Sequence, residues 1–200
     1  YYLMEKKILR YERKFKIYFF DTNQIENILR FSKLKFLKQH NDRLVNSIYF
    51  DDNVKSSFYD NVDGNSKKTK IRLRWYNNFK LIDNPSIEIK NKISLVNYKK
   101  IYKIYKFKKK LFNKKNIFKI ITNLRNKYSL LRGKLPVSST HYLRKYFVSS
   151  NKDIRATIDT DINFRNLDNN FLINKKCNYK ILEFKYHIKY DRIVRQEFKN

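Results

Sequence analysis

The chain has 200 residues, 42% of them hydrophobic and 16% aromatic, which is enough to build one sizeable core and excludes wholesale disorder. Against 18 Asp plus Glu stand 47 Lys plus Arg, a formal charge of +29 that points to a polyanionic partner: polyphosphate, nucleotide, nucleic acid or an anionic membrane. The one cysteine, Cys177, excludes an intramolecular disulfide and any zinc site built from cysteine pairs, and no apolar run reaches the roughly 20 residues that span a bilayer. The start, Tyr1-Tyr2-Leu3-Met4-Glu5-Lys6-Lys7, lacks the apolar stretch of a signal peptide, so a soluble cytoplasmic protein is expected. Part of the lysine excess is also what AT-rich codon usage would produce, since Asn, Ile and Tyr are abundant too.

Taken in order, Arg10 to Ile17 reads as a strand, with Tyr11, Phe15 and Ile17 on one parity, Arg13 among them, and Glu12, Lys14 and Lys16 on the other. Thr22 to Lys38 places Ile25, Ile28, Leu29 and Leu34 at helical spacing, with Asn23 and Glu26 as a capping box. Ser47 to Asp51 reads as a short strand. Phe58 to Gly64 is expected to belong to a strand pair that turns at Asp63-Gly64.

Lys70 to Tyr76 is the clearest segment. Lys70, Arg72, Arg74 and Tyr76 share one face of a strand, and Ile71, Leu73 and Trp75 share the other. Ser86 to Lys92 repeats the pattern, with Glu88, Lys90 and Lys92 opposed to Ile87 and Ile89. From Leu95 to Leu131 the periodicity predicts helix, with most of its lysines on a solvated face, and Gly133 and Pro136 mark a break. Thr140 to Val148, Asp153 to Ile162 and Ile181 to Tyr186 are further two-sided strands. No linker or internal repeat interrupts them, so a single domain over 1–200 is expected, truncated at its C-terminal end.

An open sheet could turn such faces to solvent. Here the polar parities hold Lys14, Arg72, Arg74, Lys90, Arg144, Arg155 and Lys185, with Glu12, Glu88, Asp159 and Glu183 among them. The expected fold is therefore α+β, a closed antiparallel β-barrel with flanking helices whose interior is lined by charge. Two unit charges about 5 Å apart interact by roughly 3 kcal/mol at an effective dielectric near 20, so converging cations call for a multiply charged anion such as a triphosphate. Arginine meets phosphate as a planar fork and lysine as a point charge. Glu183 and Asp159 are candidate oxygen ligands for Mg²⁺ or Mn²⁺, with a structural salt bridge to a neighbouring arginine as the alternative for each.

Other devices are missing. Gly64 and Gly133 are the only glycines, so there is no phosphate-binding glycine loop; His40, His141 and His187 are scattered; and no nucleophile motif is present.

The ordered segments Arg-Tyr-Glu-Arg-Lys-Phe (10 to 15), Ser-Ile-Tyr-Phe-Asp-Asp (47 to 52), Lys-Ile-Arg-Leu-Arg-Trp-Tyr (70 to 76), Ile-Glu-Ile-Lys (87 to 90), Tyr-Leu-Arg-Lys-Tyr-Phe (142 to 147), Arg-Ala-Thr-Ile-Asp-Thr (155 to 160) and Ile-Leu-Glu-Phe-Lys-Tyr (181 to 186) resemble the strand motifs of the VTC domain. That domain is the polyphosphate polymerase branch of the triphosphate tunnel metalloenzymes. The resemblance implies a β tunnel flanked by helices, which transfers the γ-phosphoryl group of ATP to a growing polyphosphate chain with a divalent metal, typically Mn²⁺. It implies phosphate contacts for Lys14, Arg72, Arg74, Lys90, Arg144, Arg155 and Lys185, and a metal at Glu183, with Glu88 and Asp159 beside it. The first strand carries Glu12, Lys14 and Lys16 where hydrolase and cyclase relatives have Glu-x-Glu-x-Lys, which disfavours those activities. The chain stops before a late Ser-Lys-Tyr-like segment that supplies another lysine in the family. Two rival functions are a triphosphatase on the same fold and a non-catalytic binder of RNA or polyphosphate.

Overall fold

A computed structural model describes residues 10–93, 96–167 and 174–198. The strands are β1 (Arg10–Ile17), β2 (Leu37–Asp51), β3 (Lys67–Tyr76), β4 (Leu81–Ile82), β5 (Ser86–Ile93), β6 (Val96–Lys103), β7 (Lys110–Leu111), β8 (Leu135–Val148), β9 (Arg155–Asn166), β10 (Asn174–Lys176) and β11 (Lys180–His187). The helices are α1 (Thr22–Phe31), α2 (Ser56–Val62), α3 (Lys114–Lys127) and α4 (Asp191–Glu197). Hydrogen bonds join the strands in the order β1-β11-β9-β8-β2-β3-β5-β6, with β10 against β9 and a separate β4-β7 ribbon. The class is α+β and the sheet is mostly antiparallel, but among the described residues the expected closed barrel does not form. The path starts at β1, whose neighbour is β11, ends at β6, whose neighbour is β5, and does not return on itself. Alternation dictates which face of a strand is apolar, and open and closed sheets satisfy it equally. Closure needs the two end strands to pair, which no local pattern encodes.

The chain divides into two compact units, one made of residues 1–43, 143–162 and 177–200, the other of 44–142 and 163–176. In the first, Ile25 and Leu29 of α1 and Val194 of α4 pack with Ala156, Ile158, Leu182 and Phe184 from β9 and β11. In the second, Ile117, Ile120, Ile121 and Leu124 of α3 pack with Ile71, Leu73, Trp75, Ile87 and Ile89 from β3 and β5. The apolar parities of the strands are therefore buried under helices, as their alternation requires.

Local chemistry explains where the elements depart from the expected ones. The capping box at α1 uses Asp21 and Gln24, two residues before the expected pair Asn23 and Glu26: the Gln24 amide donates to Asp21 Oδ1 at 2.8 Å and the Asp21 amide to Gln24 Oε1 at 2.7 Å. The helix stops at Phe31 rather than near Lys38, because Lys35 takes a left-handed conformation (φ 44°) and turns the chain into β2. Where a strand pair was expected around Phe58, α2 forms instead. Asp51 accepts from the amides of Ser57 and Phe58, and Asp52 from that of Ser56, which satisfies the donors of the first turn. Of the expected helix from Leu95 to Leu131, Leu95 lies outside the described residues, Val96–Lys103 is strand β6 paired along its length with β5, and only Lys114–Lys127 is α-helical. Ile101, Ile104 and Tyr105 fit a helical stripe, but the pairing offered by β5 overrides that local signal.

Candidate phosphate-binding faces

In the second unit, adjacent strands set Tyr49, Arg72 and Glu88 on one rung, Ser47, Arg74 and Ser86 on the next, and Lys70, Lys90 and Lys99 on a third. These rungs share the face opposite Trp75 and Leu73, because successive side chains alternate. Glu88 is buried, at 4% exposure, and a buried carboxylate is tolerated only when it is paired. Its Oε2 accepts from Arg72 Nε at 2.7 Å and Nη2 at 2.5 Å and lies 3.6 Å from Arg74 Nη1, while Oε1 accepts from Lys99 Nζ at 2.9 Å. Burial alone would raise its pKa; Arg72, Arg74 and Lys99 outweigh that and hold the carboxyl at about 2.

The arginines are held from behind as well. Arg72 Nη1 donates to the Tyr49 hydroxyl at 3.2 Å and its guanidinium lies 5.9 Å from the Tyr49 ring centre. Burial would raise the phenol, but Arg72, aided by Arg74, pulls it below its ordinary value. Arg74, 7% exposed, donates to Ser47 Oγ and to the Tyr142 hydroxyl, both at 3.3 Å. Two forks fixed this way are preorganised, so they lose little freedom when they meet an anion. Lys90 lies directly between Lys70 and Lys99 across the strands, and Glu88 answers the Lys99 ammonium from the neighbouring rung.

In the first unit, Arg144 on β8 makes a bidentate pair with Asp159 on β9, Nε to Oδ1 at 2.6 Å and Nη2 to Oδ2 at 2.7 Å. The same Nη2 reaches Glu183 Oε2 at 3.4 Å, which Lys185 Nζ also approaches at 3.4 Å, and Lys14 Nζ lies 3.6 Å from Oε1. Asp159 and Glu183 are 5% and 4% exposed. Burial pushes Glu183 up, but Lys185, Lys14 and Arg144 together bring its pKa below the ordinary value. Burial is the main reason that the Lys185 pKa is lowered; Arg144 adds to it, while Glu183 and Glu12 oppose it. Arg155 faces Lys185 in register but is exposed, outside the buried ion-pair network.

Every candidate residue is thus placed. Arg72, Arg74, Lys90 and Glu88 share a face of the second unit, and Lys14, Arg144, Asp159, Glu183 and Lys185 share one of the first, with Arg155 at its margin. Among the described residues no three His, Cys, Asp or Glu side chains gather as a cation cage. Glu88 has both oxygens engaged by arginine and lysine. Asp159, through both oxygens with Arg144, and Glu183, between Arg144, Lys185 and Lys14, are engaged in the same way, so a divalent cation on any of these carboxylates would share it with its cationic partners and be completed by phosphate oxygens and water, the usual manner for Mg²⁺ or Mn²⁺.

Sequence reasoning passed over Ser47, Tyr49, Tyr142 and Lys99. Ser47 and Tyr49 share a parity within Ser47 to Asp51, and Tyr142 shares one with Arg144, which is the signal available for them. Lys99 carried none while its segment read as helix.

A family model of the VTC domain matches residues 4–198. The chain belongs to the VTC domain family. Among solved structures, this VTC domain is similar to a candidate adenylate cyclase from Vibrio parahaemolyticus, with TM-score 0.50 and 11% identity over 93% of this chain and 81% of that one. It is also similar to a candidate adenylate cyclase from Bacillus halodurans, with TM-score 0.49 and 10% identity over 93% and 85% of the two chains. A candidate adenylyl cyclase from Hippeastrum with a dominant triphosphatase activity gives TM-score 0.49 and 10% identity over 92% and 82%. At such identity the Vibrio likeness bears on the fold alone. No curated protein matches the sequence at a significant level. Among the described residues no helix is long and apolar enough to cross a membrane.

Proposed function

We propose that this VTC domain is a phosphotransferase that moves the γ-phosphoryl group of ATP onto a growing polyphosphate chain with a divalent cation, Mn²⁺ or Mg²⁺. The observation that carries the reading is the fixed Arg72 and Arg74 pair, buried on a strand face and held by Tyr49, Ser47 and Tyr142 with a single carboxylate between the forks. A triphosphate offers the same forks more negative charge than Glu88 does, and Glu88 marks where its oxygens sit.

In the reaction a terminal phosphate oxygen of the acceptor chain attacks the γ-phosphorus of ATP, the bond to the bridging oxygen breaks, and ADP leaves with that oxygen and its charge. No side-chain nucleophile is needed, since positioning and charge stabilisation carry phosphoryl transfer. Arg72, Arg74 and Lys90 bind and orient phosphates on one face; Arg144, Lys14 and Lys185 do so on the other, with Arg155 at its edge. Lys185, whose ammonium is disfavoured by burial, regains its proton's full stability when phosphate charge arrives. Glu183, with Asp159, would hold the divalent cation, which when bound supplies neutralisation of phosphate charge.

The test is incubation of purified protein with ATP and Mn²⁺, following chain length by gel electrophoresis. Long polyphosphate with ADP is expected. ADP and free phosphate without a chain would make it a triphosphatase, and no turnover with salt-sensitive RNA binding would make it a binding module.

A further inference from the structure

The turn between β1 and α1 is Tyr18-Phe19-Phe20-Asp21, and it leaves three consecutive aromatic side chains in water: Tyr18 is 50% exposed, Phe19 96% and Phe20 48%. Single exposed aromatics are ordinary, but three in a row at one tip, remote in role from the phosphate-binding faces, are a surface waiting for an apolar contact. The tip is held in place. Lys180 Nζ donates to the Phe20 carbonyl at 2.9 Å, the Tyr18 ring lies 5.6 Å from that of Tyr179, and Lys16 Nζ sits 5.2 Å from the Tyr179 ring centre. Lys16 and Lys180 thus stand at the root of the aromatic tip. The acid beside it, Asp21, caps α1 through the Gln24 amide.

We infer that this turn is an interfacial anchor that docks the protein on an anionic lipid bilayer. The apolar rings of Phe19 and Phe20, the Tyr18 ring with its hydroxyl beside them and ammonium groups at the root match the acyl boundary, the interface and the phosphate layer of a membrane. The charge of +29 supplies long-range attraction to such a surface, and the aromatics supply what attraction alone lacks, since stable peripheral binding takes two signals. A convex tip with a nearly fully exposed ring suits a deformable surface; stacking of nucleic-acid bases uses flat platforms along a groove instead. No described helix can cross a bilayer, so attachment through these residues is peripheral.

The experiment uses the whole chain and vesicles of phosphatidylcholine alone or mixed with phosphatidylserine, read by flotation. Binding to the mixed vesicles is expected to weaken roughly tenfold in Phe19→Ser, from the apolar area no longer buried. Loss of Lys180 as well should weaken it further, while ATP turnover in solution stays unchanged in both variants. Phe19→Trp gives a second readout independent of affinity. The one native tryptophan, Trp75, is fully buried, so a blue shift of emission on adding mixed vesicles reports the introduced indole entering the interface. Equal binding of the native and Phe19→Ser chains, with no blue shift in Phe19→Trp, would overturn the inference and leave only charge attraction. A Phe19-dependent gain of RNA binding, or Phe19-dependent dimers without lipid, would overturn it in favour of those partners.

Discussion

The two units bury acids in different company. In the second, one carboxylate, Glu88, meets Arg72, Arg74 and Lys99, and the arginines are braced by the hydroxyls of Tyr49, Ser47 and Tyr142. In the first, two carboxylates, Asp159 and Glu183, share Arg144 with the flexible ammonium groups of Lys14 and Lys185. One face holds excess positive charge in rigid forks, suited to a fixed anion. The other is closer to balance, with two acids held by one arginine and two mobile ammonium groups. Similar-looking alternation in sequence therefore encodes two different electrostatic tools, and the distinction rests on how many acids each face carries.

The largest effect expected from breaking this contrast is at the forks. Replacing Arg72 and Arg74 together by Ala should lower turnover of ATP to polyphosphate by about a thousandfold or more, with the far-ultraviolet circular dichroism unchanged. In the first unit Lys14→Ala, whose side chain is 59% exposed, should cost no more than about tenfold in the same assay. Comparable losses in both would erase the distinction between rigid and adaptable faces.

The acids should separate next. Glu183→Gln is expected to raise the Mn²⁺ concentration needed for half-maximal turnover by about tenfold or more, whereas Glu88→Gln leaves it unchanged and tightens binding of inorganic tripolyphosphate, read by calorimetry. A shifted metal requirement in Glu88→Gln would set that residue among the metal ligands.

Acid titration sharpens the comparison further. The Glu88 carboxyl falls from 4.5 to about 2 in the folded protein, so its stabilisation is fully present above about pH 4.5 and is lost as pH drops through about 2. The thermal midpoint should therefore fall across that window, and less steeply in Glu88→Gln. An unchanged slope would mean that the carboxylate is not what the arginines stabilise. The smallest effect is expected at Tyr142→Phe, which removes one acceptor from Arg74 and should reduce turnover by a factor of about three.

Much of the fold was legible because a strand declares its faces. β1 falls at Arg10–Ile17 as the alternation predicts, and the parity of Ile71, Leu73 and Trp75 against Arg72 and Arg74 is the observed division between core and charged face. Pairing was not legible. Val96–Lys103 became a strand because β5 was there to receive it, and the sheet stayed open because the end strands carry no local instruction to meet. For the same reason the candidate residues could be named but not their partners. Only the register puts Arg72 opposite Glu88, and Tyr49, which no motif singled out, meets Arg72 through its hydroxyl.

One residue in β1 breaks its own pattern. Arg13 stands among Tyr11, Phe15 and Ile17 on the inward side, where a guanidinium has no business unless something answers it. Asp191, the first residue of α4 and 178 positions away, does so at 3.0 Å, and Tyr186 accepts from Arg13 and donates to Asp191. A fragment cut before Asp191 would leave that half-buried guanidinium with the Tyr186 hydroxyl but no counter-charge, so recombinant pieces of this protein should be bounded downstream of α4.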